Sequence, residues 1–200
     1  MDPAGGAAPR GLPAGVSLVE LTIAIALMAT TAAISAPVFA ASMDAGRGRQ
    51  AAQYIAAQCR GARTDAVARS ASAAIVFDQV GGAWRFQRCV DGNGNGVRRV
   101  DITRGRDACQ PAVSLTTLFA GVSIAVDASL PDPDGGTGSA DAVRFGASDI
   151  ASFSSSGTAT AGTVYVRSAG GVQFAVRVAG VTGRTRVLQY EAARHQWTEV

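Results

Sequence analysis

The chain has 200 residues, enough for one compact domain with an appendage and too few for two domains of ordinary size. Its formal charge is +3, with 18 basic residues, all arginine, against 15 acidic ones; that excludes the dense basic footprint of a dedicated nucleic-acid protein. With 48% hydrophobic residues, 16% charged residues and 24 glycines, the composition predicts short strands joined by many turns, not a bundle of helices.

The first predicted element is an apolar helix. No residue from Leu21 to Met43 carries a formal charge, and at about 1.5 Å of rise per residue the stretch makes a helix of roughly 34 Å, enough to cross a bilayer core. Pro37 removes a backbone donor inside it and is expected to kink it. Arg10 precedes the segment while Arg47 and Arg49 follow it, so the balance of arginines does not support an inside N-terminus. One reading is a secretory signal peptide, because Val38-Phe39-Ala40 before Ala41 has the spacing of small residues that a signal peptidase accepts. Against it stand a long, nearly uncharged region before the apolar run and Glu20 near its start. A carboxylate in hydrocarbon is expensive and by default functional, with a partner to be named.

Beyond Met43 the pattern turns amphipathic. Ala52, Ile55, Ala56, Cys59 and Ala62 recur at helical spacing, which carries the helix to about Arg69 and assigns its second half to packing on a globular body. From Ser72 the period becomes two. Ala74 to Phe77, a Gly81-Gly82 turn and Trp84 to Gln87 read as a hairpin. Further strands are expected at Val122 to Val126, Val143 to Phe145, Thr163 to Val166, Val172 to Val178, Arg186 to Tyr190 and Gln196 to Val200. Within 172–178, Val172, Phe174, Val176 and Val178 alternate with Gln173, Ala175 and Arg177, predicting one buried and one wet face. Pro131 to Ala140 is expected to be an exposed loop within the domain.

The three cysteines match no zinc pattern, since none are spaced as CxxC and the sole histidine is His195. If the body of the protein lies outside the cytoplasm, a disulfide between Cys89 and Cys109 is favoured, closing a glycine-rich loop, with Cys59 a buried thiol; the alternative is three reduced cysteines in a core. The loop DGNGNGVRRVDI, from Asp91, opens as a calcium loop does, with Asp91, Asn93 and Asn95 as oxygen ligands and Gly96 at the sharp turn. Ile102 stands where a bidentate glutamate belongs, however, and Asx-Gly sequences also form turns that need no ion.

Gly15-Val16-Ser17-Leu18-Val19-Glu20-Leu21 resembles the cleavage and assembly motif of type IV pilins and type II secretion pseudopilins. The resemblance implies cleavage after Gly15 by a prepilin peptidase on the cytoplasmic side, methylation of Val16 as the first mature residue, and retention of the apolar helix. Val16 departs from the large residue commoner there, and the leader is poor in basic residues. It also implies that Glu20 meets the free amine of a neighbouring subunit in a filament, so that adding a subunit satisfies both charges and sets the axial register. The run Phe153 to Tyr190 resembles the end of GspH/FimT-type minor pseudopilins, where a Phe-x-x-x-Gly segment precedes two strands and a Thr-Gly-Arg turn.

In a strand the side chains of Arg184 and Arg186 point to one face and are placed to hold two phosphates of a nucleic acid. FimT-like minor pilins implicated in DNA uptake carry a similar Gly-Arg-x-Arg element, and Arg98, Arg99, Arg104 and Arg106 are candidates to extend the patch. A turn glycine followed by solvated arginines is the alternative. Enzyme chemistry is not expected: Glu191 and Glu199 are the only glutamates beyond the apolar helix, and no Ser-His-Asp or paired-carboxylate motif is evident.

The expectation is therefore an α+β, pilin-like protein: a leader over 1–15, a membrane helix over 16–43, its amphipathic continuation over 44–70 and a periplasmic antiparallel β-domain over 71–200. The expected role is that of a non-catalytic pseudopilin subunit, without a cofactor, anchored in the inner membrane. Its expected partners are other pilins or pseudopilins, the prepilin peptidase and the inner-membrane assembly platform. A DNA-receptor minor pilin on the same scaffold and a signal-peptide-cleaved periplasmic domain binding calcium or another ligand are the alternatives.

Overall fold

A single helix, α1 (Leu18–Arg69), runs through both of the units into which the chain divides after Ala40. The computed structural model describes residues 15–200, so the predicted leader lies outside the described residues except for Gly15. In the first unit the apolar side chains of α1 face outward all round: Leu18, Ile23, Leu27, Met28, Ile34 and Phe39 are all more than half exposed. The helix is long and apolar enough to cross a membrane, by length and composition. It continues without interruption through Pro37. On the turns before that proline, Thr30, Thr31 and Ser35 donate their hydroxyls to carbonyls three or four residues back, so these polar groups are satisfied within the helix.

In the second unit one face of α1 is buried. Gly48, Ala51, Ala52, Ile55, Ala56, Cys59, Ala62 and Ala66 form the stripe, recurring at the three-and-four spacing of a helix face. Two antiparallel sheets supply the rest of the core. The first is built from the hairpin β1 (Ala73–Val80) and β2 (Ala83–Val90) with β3 (Ala108–Cys109) and β6 (Ile150–Phe153), in the order β3-β2-β1-β6. The second contains β4 (Ser123–Ile124), β7 (Gly162–Arg167), β8 (Gln173–Val178), β9 (Thr185–Glu191) and β10 (Gln196–Glu199), in the order β10-β9-β8-β7-β4, with β5 (Val143–Arg144) also paired to β7. Two short helices, α2 (Arg99–Thr103) and α3 (Leu115–Leu118), lie in the connections. Ile75 and Phe77 of the first sheet and Val164, Val166, Phe174, Val176 and Val187 of the second share one core with the α1 stripe. Aromatic rings link them, Phe77 stacking on Phe145 at 5.8 Å and meeting Phe86 at 6.0 Å.

The outer faces of both sheets are covered too. Residues 91–107 and α2 lie over Ala74, Val76 and Ile150 of the first sheet, where Val97, Ile102 and the cysteine pair complete a second small cluster. On the second sheet, the wet face expected for β8 is not wet: Gln173 and Ala175 are buried. Gln173 is satisfied there, donating Nε2 to the carbonyls of Ala125 and Val166 and accepting from the Asp127 amide. The segment Pro131 to Ala140 is a loop, exposed over residues 134–137 as expected, and it is also fastened to this sheet as a strap. Asp132 pairs with Arg144 and accepts from the Tyr165 hydroxyl, Asp134 pairs with Arg177, and Trp197 Nε1 donates to the Pro131 carbonyl at 2.8 Å. Period-two reading registered the alternation but not this cover.

The first turns of α1 in this unit are tied to the β7–β8 turn. Ser168 Oγ and the Gly170 amide donate to Asp44 Oδ2 at 2.5 and 2.8 Å, and a Cβ on Gly48 would fall 2.6 Å from the Phe174 ring. A Cβ on Gly46 would meet nothing within 4 Å. The same substitution therefore takes opposite signs two residues apart. Gly48→Ala is expected to lower stability by about 1–3 kcal/mol through overpacking, whereas Gly46→Ala raises it by about 0.5–1 kcal/mol through helix propensity. Denaturant unfolding of the detergent-solubilised chain measures both.

Candidate functional site

Two separate groups of residues are candidates for a functional role. The first is at the start of α1. Gly15 has open space around it, Val16 is 72% exposed, and Glu20 stands in the first turn of the helix. A carboxylate there is favourably placed against the helix dipole. Among the described residues it forms no ion pair.

The second group centres on Arg63, a residue that the sequence reading passed over. Its Nε donates to the Gly157 carbonyl at 3.2 Å. Gly157 and Gly183 both have positive φ, +82° and +60°, a conformation that favours glycine. A Cβ on Gly183 would lie 2.5 Å from the Gly157 carbonyl oxygen and 2.9 Å from Arg63 Nε; one on Gly157 would lie 3.2 Å from Arg63 Nη2. The guanidinium thus occupies the space that two missing side chains leave. Gly157 closes the Phe-x-x-x-Gly segment and Gly183 is the centre of the Thr-Gly-Arg turn, so the two glycines of that sequence pattern meet on one arginine of α1. They were the signal from which Arg63 was discoverable.

Arg184 and Arg186 do share a side, for both reach Glu199 of β10, at 3.6 and 3.0 Å. Arg186 pairs across the ladder with Arg177, which puts it on the outer face of the second sheet. Arg99 and Arg106 do not extend this group. Arg99 pairs with Asp78 and donates to the Phe77 and Ser148 carbonyls, and Arg106 pairs with Asp101, all at the first sheet. Arg98 and Arg104 flank α2 beside them.

The Cys89–Cys109 disulfide is formed, joining β2 to β3 at directly opposed positions. Cys59 is fully buried, and burial pushes its thiol up to about 12, leaving it inert. Inside the loop closed by the disulfide, Asp91 organises the backbone as a set of turns. Its Oδ1 accepts from the Asn93 and Gly94 amides at 3.0 and 2.8 Å, and its Oδ2 from the Gly96 amide at 2.7 Å. Asp107 closes the loop from the far side by accepting from the Gly92 and Arg98 amides. Ile102, at the position a calcium loop needs for glutamate, is packed against the small outer cluster instead. Among the described residues no three histidine, cysteine or acidic side chains are placed to hold a metal ion. Desolvation alone would raise the Asp91 pKa, but the amides of Asn93, Gly96, Gly94 and Asn95 outweigh it and hold the carboxyl below its ordinary range. His195 sits in the β9–β10 turn, with Nδ1 3.3 Å from the Tyr190 hydroxyl.

No protein-family model, curated protein or solved structure matches the chain.

The Asp91 turn gives a pH signature. A carboxyl depressed in the folded state contributes stability that is present above its unfolded pKa and lost as pH falls through the folded value. Melting temperature is expected to fall on acidification below about pH 4. In Asp91→Asn it starts lower at neutral pH and falls less steeply, which a melting series from pH 7 to pH 2 measures.

Proposed function

We propose that this chain is a non-catalytic minor pseudopilin of the GspH/FimT type, a subunit of a type II secretion or type IV pilus machine. It is cut after Gly15 by a prepilin peptidase and held in the inner membrane by the first part of α1, with its β-domain in the periplasm. The observation that carries the reading is α1 itself. One helix begins at a Gly-Val-x-x-x-Glu sequence, exposes apolar side chains through its first unit and packs one face into the core of an antiparallel β-domain in its second. A secretory signal segment, removed after translocation, has no need of that continuity.

Glu20 follows from the same reading. In hydrocarbon an ionised carboxylate without a partner is unstable, and the amino terminus of the next subunit's Val16 neutralises it as that subunit joins the filament. The pair selects correct insertion more than it adds stability. The expected partners are neighbouring pilins or pseudopilins, the peptidase and the inner-membrane assembly platform.

N-terminal mass spectrometry of the mature protein is expected to find N-methylated Val16; a mature chain beginning at Ala41 would overturn the reading. Glu20→Ala is expected to remain in the membrane fraction while its recovery in sheared or purified filaments drops at least tenfold.

A further inference from the structure

We propose that the recess between Arg60 and Arg63 of α1 and the turn joining β8 to β9 binds a phosphoryl dianion, as free phosphate or as a terminal phosphate monoester. The recess has a volume of about 500 Å³ and is lined by Arg60, Arg63, Thr64, Thr182, Arg184 and Thr185. Arg60 and Arg63, three apart on a helix, share a face, and among the described residues neither has a carboxylate partner. Glu199 is the one acidic group paired with the arginines at this turn, and it is divided between Arg184 and the nearer Arg186. Positive charge therefore exceeds negative charge at the recess.

One of these guanidiniums is preorganised. The Gly157 carbonyl and the close-packed backbone of Gly157 and Gly183 hold Arg63 by its Nε, which leaves the two terminal nitrogens for a ligand. An arginine fixed in this way loses little side-chain freedom on binding. Thr64 donates to the Arg60 carbonyl and Thr182 Oγ1 accepts from the Arg184 amide, while Thr185 Oγ1 is buried, so the arginines are the groups the recess offers a ligand. Guanidinium forks match the paired oxygens of a tetrahedral oxyanion.

A dianion suits the recess better than a diester. Three arginines lining one small concavity meet a localised double charge, whereas a nucleic-acid backbone presents single charges spread along a surface. A lipid headgroup is remote on the membrane reading above, because Arg60 lies roughly 24 Å along the helix axis from Asp44.

The test is titration calorimetry of the full chain in detergent at pH 8 with sodium phosphate, against sodium chloride of equal ionic strength. Saturable 1:1 binding is expected. Arg60→Gln and Arg184→Gln, both changes at exposed side chains, each weaken it about tenfold or more. Arg85→Gln, at an exposed arginine of β2, leaves it unchanged. Saturable binding of glycerol 3-phosphate extends the site to terminal monoesters, and its failure beside binding of phosphate assigns the site to the free ion; both support the proposal. Absence of saturable binding, or equal weakening by Arg85→Gln, overturns it. An oligonucleotide without terminal phosphates that binds as tightly, and is lost in the same two variants, overturns the dianion assignment. Processing at Val16 is measured independently, so failure here leaves the pseudopilin reading standing.

Discussion

Everything in the second unit depends on a face of α1 that has almost no side chains. Between Gly48 and Ala66 the buried positions are glycine, alanine, one isoleucine and one cysteine. Small residues let sheet side chains reach the helix backbone: the Phe174 ring occupies the place of a Cβ at Gly48, and Arg88 crosses at Gly61, where a Cβ would meet its guanidinium at 2.5 Å. Bulk comes from the sheets, in Phe77, Phe145, Phe153 and Phe174, and the helix supplies a groove for it. Close packing of this kind tolerates little change in volume, which makes the helix and the two sheets one cooperative unit.

Both sheets are then finished from outside in the same way. Each inner face is committed to the shared core, and each outer face carries apolar or satisfied polar groups that polar segments cover. On the first sheet the cover is the Asp91 loop, closed by the Cys89–Cys109 bridge and held through Arg99 to Phe77 and Asp78. On the second it is the strap from Pro131, fastened by Asp132, Asp134 and Trp197. Carboxylates in these segments accept backbone amides or meet arginines of the sheets, so they fold the cover and attach it at once. The resemblance of the Asp91 loop to a calcium loop has the same origin, since a carboxylate that gathers several amides produces the turn with or without an ion.

Arg63 stands where the helix meets the turns of the β-domain. Two left-handed glycines from different parts of the β-domain converge on one guanidinium of the spine, so a residue that fixes helix to sheet also lines a recess. The arginines singled out from the sequence, Arg184 and Arg186, border this place but are tethered by Glu199, and those near α2 belong to the first sheet.

The sequence by itself determined the elements whose signal is local. The helix from the apolar run to Arg69 follows from residues spaced three and four apart. The eight expected strands all fall on observed strands, because alternation and turn glycines act between near neighbours. It left out β3, β6 and the two short helices: β3 (Ala-Cys) and β6 (Ile-Ala-Ser-Phe) carry no run of β-branched residues and are defined by pairing with β2 and β1. Tertiary structure alone decided that Gln173 and Ala175 are buried, that Pro131 to Ala140 is a strap, and that Gly157 and Gly183 meet on Arg63. Each of these depends on groups far apart in the chain, and periodicity reports which residues share a face of their own element but not which distant segment comes to cover it.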